Sequence, residues 1–478
     1  MHGRLKVRTS AEEAARKKKE QDLKAKAYRN GMDKIFTLRN AENFDNNLLE
    51  LSGKILSVNP DITTLWNIRR ECIIKMTTDN PDSASTLFDR DLNFTELCLQ
   101  VQPKSYGAWH HRSWILENSP KPDWNREVSL CTLYLKKDER NFHCWDYRRY
   151  VARKANLSAE SEFKFCDEKI QKNFSNYSSW FYRSQLLPVL HPHPSDSSRP
   201  ISEEKLKEEL EIVITAAFTD PNDSSAWFYQ RWLLGYSDPK LDLACFKLTQ
   251  SQAVIAFTKL VDLSKDKITI STNTSLDKGI WRSLSGNKSD SIWIQKGEFE
   301  ISDDILIKMN HNDKTFELEA RKIDNNSIIG IKLPSFGYEF GAAVKEELKN
   351  QLDSCNQLLE FEPDSKWTLL TAALLMRSID RFQYHEKTLE YVRKLQKVDS
   401  LRAGYYMDLA SKWILEEKLK NMVESGKFDK IDLSSLDLSV VYYNQFLFIG
   451  NEINLQNNSK LNKKSCKFAL VDGCKVTF

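Results

Sequence analysis

One ten-residue segment sets the pattern for the first half of the chain, and it reads Pro103-Lys104-Ser105-Tyr106-Gly107-Ala108-Trp109-His110-His111-Arg112. Its Trp and Arg, three residues apart, recur in Trp66-Asn67-Ile68-Arg69, Trp145-Asp146-Tyr147-Arg148 and Trp180-Phe181-Tyr182-Arg183. A fifth copy around Trp227 shifts the Arg by one position, and a diverged sixth copy contains Trp367. The first five Trp lie 43, 36, 35 and 47 residues apart, which is typical of helical-hairpin repeats.

Each copy also carries signals for the start of a helix. Four copies have a good N-cap residue four positions before the Trp, namely Ser105, Asn141, Asn176 and Asp223, whereas the first copy has Ile62. A proline two residues further upstream ends the preceding helix in three copies. Because one hairpin cannot bury its apolar face alone, the pattern predicts a mainly α chain built as an α-solenoid. Six similar copies cannot all be catalytic, so the repeated Trp and Arg are predicted to be structural.

Outside the helical repeats, the residue pattern changes in two places. Short β-branched segments such as 291–294 and 315–320 interrupt the helical pattern and predict an inserted, immunoglobulin-like β-sandwich. Leucine-rich segments near the end resemble one or two leucine-rich repeats, too few for a stable horseshoe. The predicted organisation is a basic N-terminal arm or helix (1–43), repeats one to five (44–241), the insert (243–340), a helical region with the sixth copy (341–425) and a degenerate or truncated leucine-rich-repeat-like tail (430–478).

Composition excludes several classes of protein. The 478 residues are 41% hydrophobic and 11% aromatic, which argues against a disordered chain. A net charge of +3 gives no support for a nucleic-acid-binding protein. Nine cysteines without a C-x-x-C pair favour a reducing compartment, and no apolar run is long enough to span a membrane. We therefore expect a soluble cytoplasmic protein.

The first 30 residues carry ten Lys or Arg against four Asp or Glu. Two interpretations are open for this segment. It could be a solvated helix or frayed arm, or it could lie on an acidic partner.

The repeat resembles that of the protein prenyltransferase α subunits. The resemblance is carried by Pro103 to Arg112 and by Asn141-Phe142-His143-Cys144-Trp145-Asp146-Tyr147-Arg148-Arg149. The start Met1-His2-Gly3-Arg4-Leu5-Lys6-Val7 and the β-rich insert are similar to those of the Rab geranylgeranyltransferase α subunits in particular. The farnesyltransferase and type I geranylgeranyltransferase α subunits lack such an insert.

The resemblance implies a heterodimeric enzyme. In this family the α subunit wraps around a β subunit that holds the catalytic zinc and the lipid tunnel. The enzyme transfers geranylgeranyl from geranylgeranyl diphosphate to C-terminal cysteines of Rab GTPases, which an escort protein presents. The sequence of this chain has no recognisable set of zinc ligands, which agrees with a metal held by the partner.

By motif match, Lys104 is expected to face the isoprenoid diphosphate with Tyr106 beside it. His143 and Asn141, in the equivalent turn of the next repeat, are further candidates for the same cleft. Without the resemblance, Lys104 is most simply a solvated lysine in a turn. His2 is a candidate imidazole ligand for the partner's zinc, against the alternative of a disordered terminus.

Two other functions remain open at this point. A helical-repeat scaffold could bind peptides on its concave face without any catalysis. The chain could also be the α subunit of a CaaX prenyltransferase, although the β-rich insert speaks against this.

Overall fold

The structure is a computed structural model, and it describes residues 10–195, 199–235, 241–263, 269–272, 280–301, 304–311, 314–333, 340–428, 430–434, 436, 449–458, 466, 471 and 474–478. The candidate ligand His2 and the start of the predicted basic arm lie outside these residues. The chain divides into two compact units, Met1–Leu186 and Leu187–Phe478. None of the described helices is long and apolar enough to cross a bilayer.

Helices form the first unit over its described residues. A long basic helix begins the unit, and four helical hairpins follow, with a short 3₁₀ helix at Pro81–Ser83. The helices are α1 (Ala11–Asn40), α2 (Asn46–Leu56), α3 (Thr63–Asp79), α4 (Ala84–Val101), α5 (Tyr106–Asn118), α6 (Trp124–Lys137), α7 (Phe142–Lys154), α8 (Ala159–Lys172) and α9 (Tyr177–Leu190), the last of which runs into the second unit.

The buried Trp of each of the first five repeats makes the same hydrogen bond. Its indole Nε1 donates to the backbone carbonyl six residues earlier, at distances between 2.8 and 3.1 Å: Trp66 to Pro60, Trp109 to Pro103, Trp145 to Glu139, Trp180 to Phe174 and Trp227 to Pro221. Each Trp is at most 5% exposed, and so is Trp367 of the sixth copy. The indole therefore fills the core and ties the start of its helix to the preceding turn.

The same carbonyl often accepts a second donor from the next repeat. Ser105 Oγ donates to Pro60 O at 3.1 Å, and Asn141 Nδ2 donates to Pro103 O at 2.9 Å. In the third case, Asn176 Nδ2 donates to Glu139 O at 2.9 Å. Ser105 and Asn141 also cap α5 and α7, as predicted, by accepting from the backbone amides of Ala108 and Cys144. Each such carbonyl thus fixes the register between consecutive hairpins.

The second unit combines helices with strands. Its helices are α10 (Glu203–Thr219), α11 (Ser224–Leu233), α12 (Ala342–Phe361), α13 (Lys366–Asp380), α14 (His385–Val398) and α15 (Ala403–Ser425), with a short 3₁₀ helix at Ser400–Arg402. Across the insert, α10 packs on α12 and α11 packs on α13. Gln230 takes the place of the repeat's Arg on α11, and its Nε2 donates to Gln351 Oε1 on α12 at 2.6 Å. The prediction of a mainly helical chain with repeated hairpins is confirmed.

The predicted β-rich insert is an antiparallel sheet that curls on itself. Its described strands follow the order β3-β6-β7-β8-β1-β2-β5-β4. They are β1 (Leu243–Thr249), β2 (Gln252–Val261), β3 (Thr269–Thr272), β4 (Arg282–Ser283), β5 (Asp290–Lys296), β6 (Ile305–His311), β7 (Lys314–Lys322) and β8 (Ser327–Ile331). The two layers expected of a sandwich are the two arms of this one sheet, because β7 pairs with β6 along its length but with β8 only at Arg321 and Lys322.

In the segment predicted as a leucine-rich-repeat-like tail, the described residues form three parallel strands. They are β9 (Lys430–Asp432), β10 (Glu452–Asn454) and β11 (Lys475–Thr477), paired in the order β11-β10-β9. They start 22 and 23 residues apart, a spacing typical of leucine-rich repeats.

We predict that Gly107→Ala destabilises the first unit. A Cβ at this position would lie 2.8 Å from both Pro60 O and the Trp66 ring, where the repeats are joined. The expected loss is about 1–3 kcal/mol of unfolding free energy, because the backbone or the indole must shift. Urea unfolding followed by Trp fluorescence measures the change.

Gly404→Ala is the matched control, because a Cβ there meets nothing within 4 Å and Gly404 also lies in a helix, α15. We expect this variant to unfold at the same urea concentration as the parent or at a slightly higher one. Equal stability of Gly107→Ala and the parent would contradict the close approach.

Candidate functional site

The repeat Arg residues are buried and paired, which explains their regular placement. Arg112 donates from Nε and Nη2 to both carboxylate oxygens of Glu127, at 2.6 and 2.7 Å, and both side chains are fully buried. Arg148 binds Glu162 in the same way at 2.9 and 2.6 Å. Arg69 pairs with Asp91, and Arg183 pairs with Asp167. These buried ion pairs support the structural role that the sequence predicts for the repeated Arg.

The guanidinium groups of Arg69, Arg112 and Arg148 also reach the preceding helix of their own hairpin. Arg112 Nη1 donates to Leu92 O at 2.9 Å and to Thr95 Oγ1 at 3.0 Å, both on α4. Because Glu127 lies on α6, one side chain of α5 connects three helices. A buried ion pair of this kind is destabilising to break, since the remaining charge has no water around it.

These structural pairs leave a different group of side chains at the surface. Tyr106 opens α5 and is 70% exposed, and Phe142 opens α7 and is 51% exposed. The ring of His143 lies between them, 4.2 Å from the Tyr106 ring centroid and 3.9 Å from that of Phe142. The structure thus brings together Tyr106 and His143, which the sequence placed in consecutive turns.

Lys104 lies next to this aromatic group. Its Nζ is 3.4 Å from Asp138 Oδ2, and both side chains are largely exposed. Burial lowers the pKa of His143, Asp146 opposes this, and the nearby positive charge of Lys104 lowers the pKa further. The imidazole of His143 is therefore uncharged at neutral pH, and Lys104 supplies the positive charge here.

Asn141 has a positioning role within the group. Its Oδ1 accepts from Cys144 N at 3.3 Å, and its Nδ2 donates to Pro103 O at 2.9 Å. These two bonds hold the turn that carries Lys104 against the start of α7. The result is an exposed ammonium beside the N-terminal ends of two helices, where an anion is favoured, with aromatic rings that can contact an apolar group.

The adjacent histidines of α5 face different directions. His111 is buried, and its Nε2 lies 2.5 Å from Asp91 Oδ2. His110 is exposed, with its Nδ1 2.7 Å from Arg70 Nη2. Within the described ranges, no group of three or more His, Cys, Asp or Glu side chains could hold a metal ion.

Sequence reasoning missed the carboxylate partners and Asp138. The partners were detectable in part, because Glu127 follows Arg112 by 15 residues and Glu162 follows Arg148 by 14. The ion pair between Asp138 and Lys104 could not be predicted from the sequence, since it depends on how two hairpins stack.

The repeat is matched by a family model described as the protein prenyltransferase alpha subunit repeat, over residues 88–119, 124–155, 159–190 and 206–237. The geranylgeranyl transferase type-2 subunit alpha of Bos taurus is 40% identical over 96% of this chain and 83% of its own length, and the Homo sapiens protein shows the same values. This chain belongs to the family of geranylgeranyl transferase type-2 α subunits.

A more distant member from Dictyostelium discoideum is 30% identical over 86% of this chain and its own full length. Among solved structures, Candida albicans protein geranylgeranyltransferase-I complexed with GGPP is 16% identical, with a TM-score of 0.43, over 80% of this chain and 89% of that chain. The four matched segments coincide with the hairpins α4–α5, α6–α7, α8–α9 and α10–α11. The family resemblance found in the sequence is therefore confirmed.

We predict that acidification weakens the first unit through Asp91 and His111. Burial lowers the pKa of His111 below 6.5, so the unfolded chain binds a proton first and stability falls as the pH drops below about 6.5. Burial alone would raise the pKa of Asp91, but Arg69 and His111 bring it to about 2, so its contribution is lost between about pH 4 and 2.

Urea unfolding at pH 7.5, 6.0 and 5.0 measures this dependence. In His111→Gln, the free energy of unfolding should decrease less between pH 7.5 and 5.0 than in the parent. In His110→Gln, which changes the exposed neighbour, it should decrease as in the parent. The same slope in both variants would contradict the role of His111.

Proposed function

We propose that this chain is the α subunit of a heterodimeric Rab geranylgeranyltransferase. The enzyme transfers geranylgeranyl from geranylgeranyl diphosphate to C-terminal cysteines of Rab GTPases presented by an escort protein. The observation that supports this most is the 40% identity to type-2 α subunits over 96% of the chain. The protein is thus a subunit of a protein prenyltransferase, and its partner is a β subunit.

In this proposal, the catalytic metal is bound by the β subunit. Zinc bound there would supply the activated cysteine thiolate. The part of this chain that the structure describes holds no group of three or more His, Cys, Asp or Glu side chains suited to a metal ion.

Lys104 is proposed to stabilise the leaving diphosphate. In the reaction, the cysteine sulfur bonds to the first carbon of the isoprenoid while the carbon–oxygen bond to the diphosphate breaks. Negative charge therefore accumulates on the diphosphate, and a fixed cation beside it favours the transition state. The ammonium of Lys104 is exposed next to two helix N-termini, so it can reach a ligand held by a partner.

The residues around Lys104 are proposed to shape the same site. The exposed ring of Tyr106 forms a wall for the first part of the isoprenoid or the substrate peptide, and the buried ring of His143 packs against it. Asn141 holds the turn, as its two hydrogen bonds indicate. Asp138 keeps the Lys104 ammonium near the turn until a more strongly charged ligand replaces it.

We also propose a cytoplasmic location. All nine cysteines are free thiols, and eight of them are buried. A reducing compartment preserves such thiols.

The activity is tested by co-expressing the chain with a matching β subunit. Transfer of labelled geranylgeranyl is measured to a Rab ending in paired cysteines, with and without escort protein, and to a CaaX peptide. We expect transfer to the Rab that needs both subunits and the escort. Modification of the CaaX peptide alone would assign a CaaX enzyme, and failure to form a heterodimer would favour a peptide-binding scaffold.

In the same assay we predict that Lys104→Ala lowers kcat with heterodimer assembly intact. Losing a charge-assisted contact costs about 1.5–3 kcal/mol, which corresponds to about ten- to hundredfold in rate. Lys104→Arg should recover part of the loss because it retains the charge.

Lys121→Ala is the matched control, because Lys121 is an exposed lysine in the loop after α5. It should turn over like the parent. Normal turnover of Lys104→Ala in a heterodimer would refute the diphosphate role.

A further inference from the structure

The central strands of the insert are covered on both faces. In β1, β2 and β5, the first six residues of each strand are buried. One face, with Phe246, Ile255 and Trp293, packs against β6 and β7 inside the curl of the sheet. Antiparallel sheets commonly leave the opposite face in water, so the burial of this outer face needs a partner.

The outer face carries small apolar side chains. On β1 and β2 they are Ala244, Cys245, Val254 and Ala256, whereas β5 and β8 add the larger Ile292, Ile294 and Ile329. Larger apolar residues pack in the same cluster, from the end of α15 and from the described part of the tail: Leu415, Leu419, Phe428, Ile431, Leu433, Ile449, Ile453 and Leu455. The small side chains of β1 and β2 allow the bulky side chains of α15 and the tail to approach closely.

Lys247 is the polar residue in the middle of this outer face. It is 3% exposed, and its Nζ donates to Ile449 O at 3.1 Å, Asn451 Oδ1 at 3.1 Å and Gly450 O at 3.5 Å. All three acceptors are neutral, and they come from the three residues that precede β10. Burial lowers the pKa of Lys247. An ammonium has three donors, so this loop satisfies the whole group.

The acceptor loop is shaped for this contact. A Cβ on Gly450 would lie 2.9 Å from Ile431 Cδ1, so a larger residue would push the loop away from β9. The central residues Ile431 and Ile453 of β9 and β10 are buried in the shared cluster.

The three described strands of the tail have three residues each, and such short strands bury little apolar surface by themselves. We propose that the insert supports the leucine-rich tail: the outer face of β1, β2 and β5 is a docking surface for the tail of the same chain, and Lys247 fixes the position at which it docks.

Lys247 selects the register as well as the site. The apolar contacts alone are non-directional, so the tail could slide along the sheet. A buried ammonium is satisfied only where the loop presents three oxygen atoms, and any other register leaves it without hydrogen bonds.

Hydrogen exchange on the full chain tests the proposal with Lys247→Met, which retains the length of the side chain. Amides of β10 and β11 should exchange at least about tenfold faster, because the tail then opens more often. Amides of β6 and of α5 should exchange as in the parent, which shows that the insert core and the first unit are intact. Lys259→Met is the matched control on the exposed end of β2 and should change nothing.

A second variant approaches the contact from the tail. Asn451→Leu removes one acceptor at an exposed position and should also speed exchange in β10. The double variant should exchange no faster than Lys247→Met alone, because both changes remove the same contact. The proposal is overturned by parent-like exchange in Lys247→Met, by effects of the two variants that multiply, or by equal acceleration in β6 and in the tail.

Discussion

The hydrogen bonding of one carbonyl group per repeat determines how the hairpins of the first unit join. The carbonyls of Pro60, Pro103 and Glu139 each accept the indole of their own repeat and the N-cap side chain of the next. Two donors at one acceptor set the distance between successive helices to within a few tenths of an ångström. The buried Arg–carboxylate pairs fix the same helices further along, so the register is defined at two points.

This arrangement also creates the candidate site. The turn that supplies the Pro103 carbonyl contains Lys104, and the N-cap that binds this carbonyl precedes Phe142 and His143. The residues that hold the repeats together and the residues proposed to meet the diphosphate are therefore neighbours in sequence. A substitution at Asn141 would therefore disturb both the repeat packing and the candidate site. The side-chain contact that the structure gives for Lys104 is the ion pair with exposed Asp138, so Lys104 can be tested separately.

Local signals made most of the fold predictable. Trp spacing and N-cap residues act within a few residues of the chain, so the helices from α5 to α11 followed from the sequence. Lys104, Tyr106 and His143 became candidates only through the family resemblance. The partners Asp91 and Glu127 lie on other helices, and the curl of the insert depends on the short pairing of β7 with β8. The docking of the tail on Lys247 joins residues about 200 positions apart, for which the sequence holds no local signal.

The most direct measurement is a structure of the full chain bound to its β subunit with an unreactive analogue of geranylgeranyl diphosphate. We expect Lys104 Nζ to lie about 3 Å from a diphosphate oxygen, the distance of a charge-assisted hydrogen bond. The rings of Tyr106 and His143 should then border the same ligand. A diphosphate held by other cations, with Lys104 still paired to Asp138 away from it, would contradict the assignment.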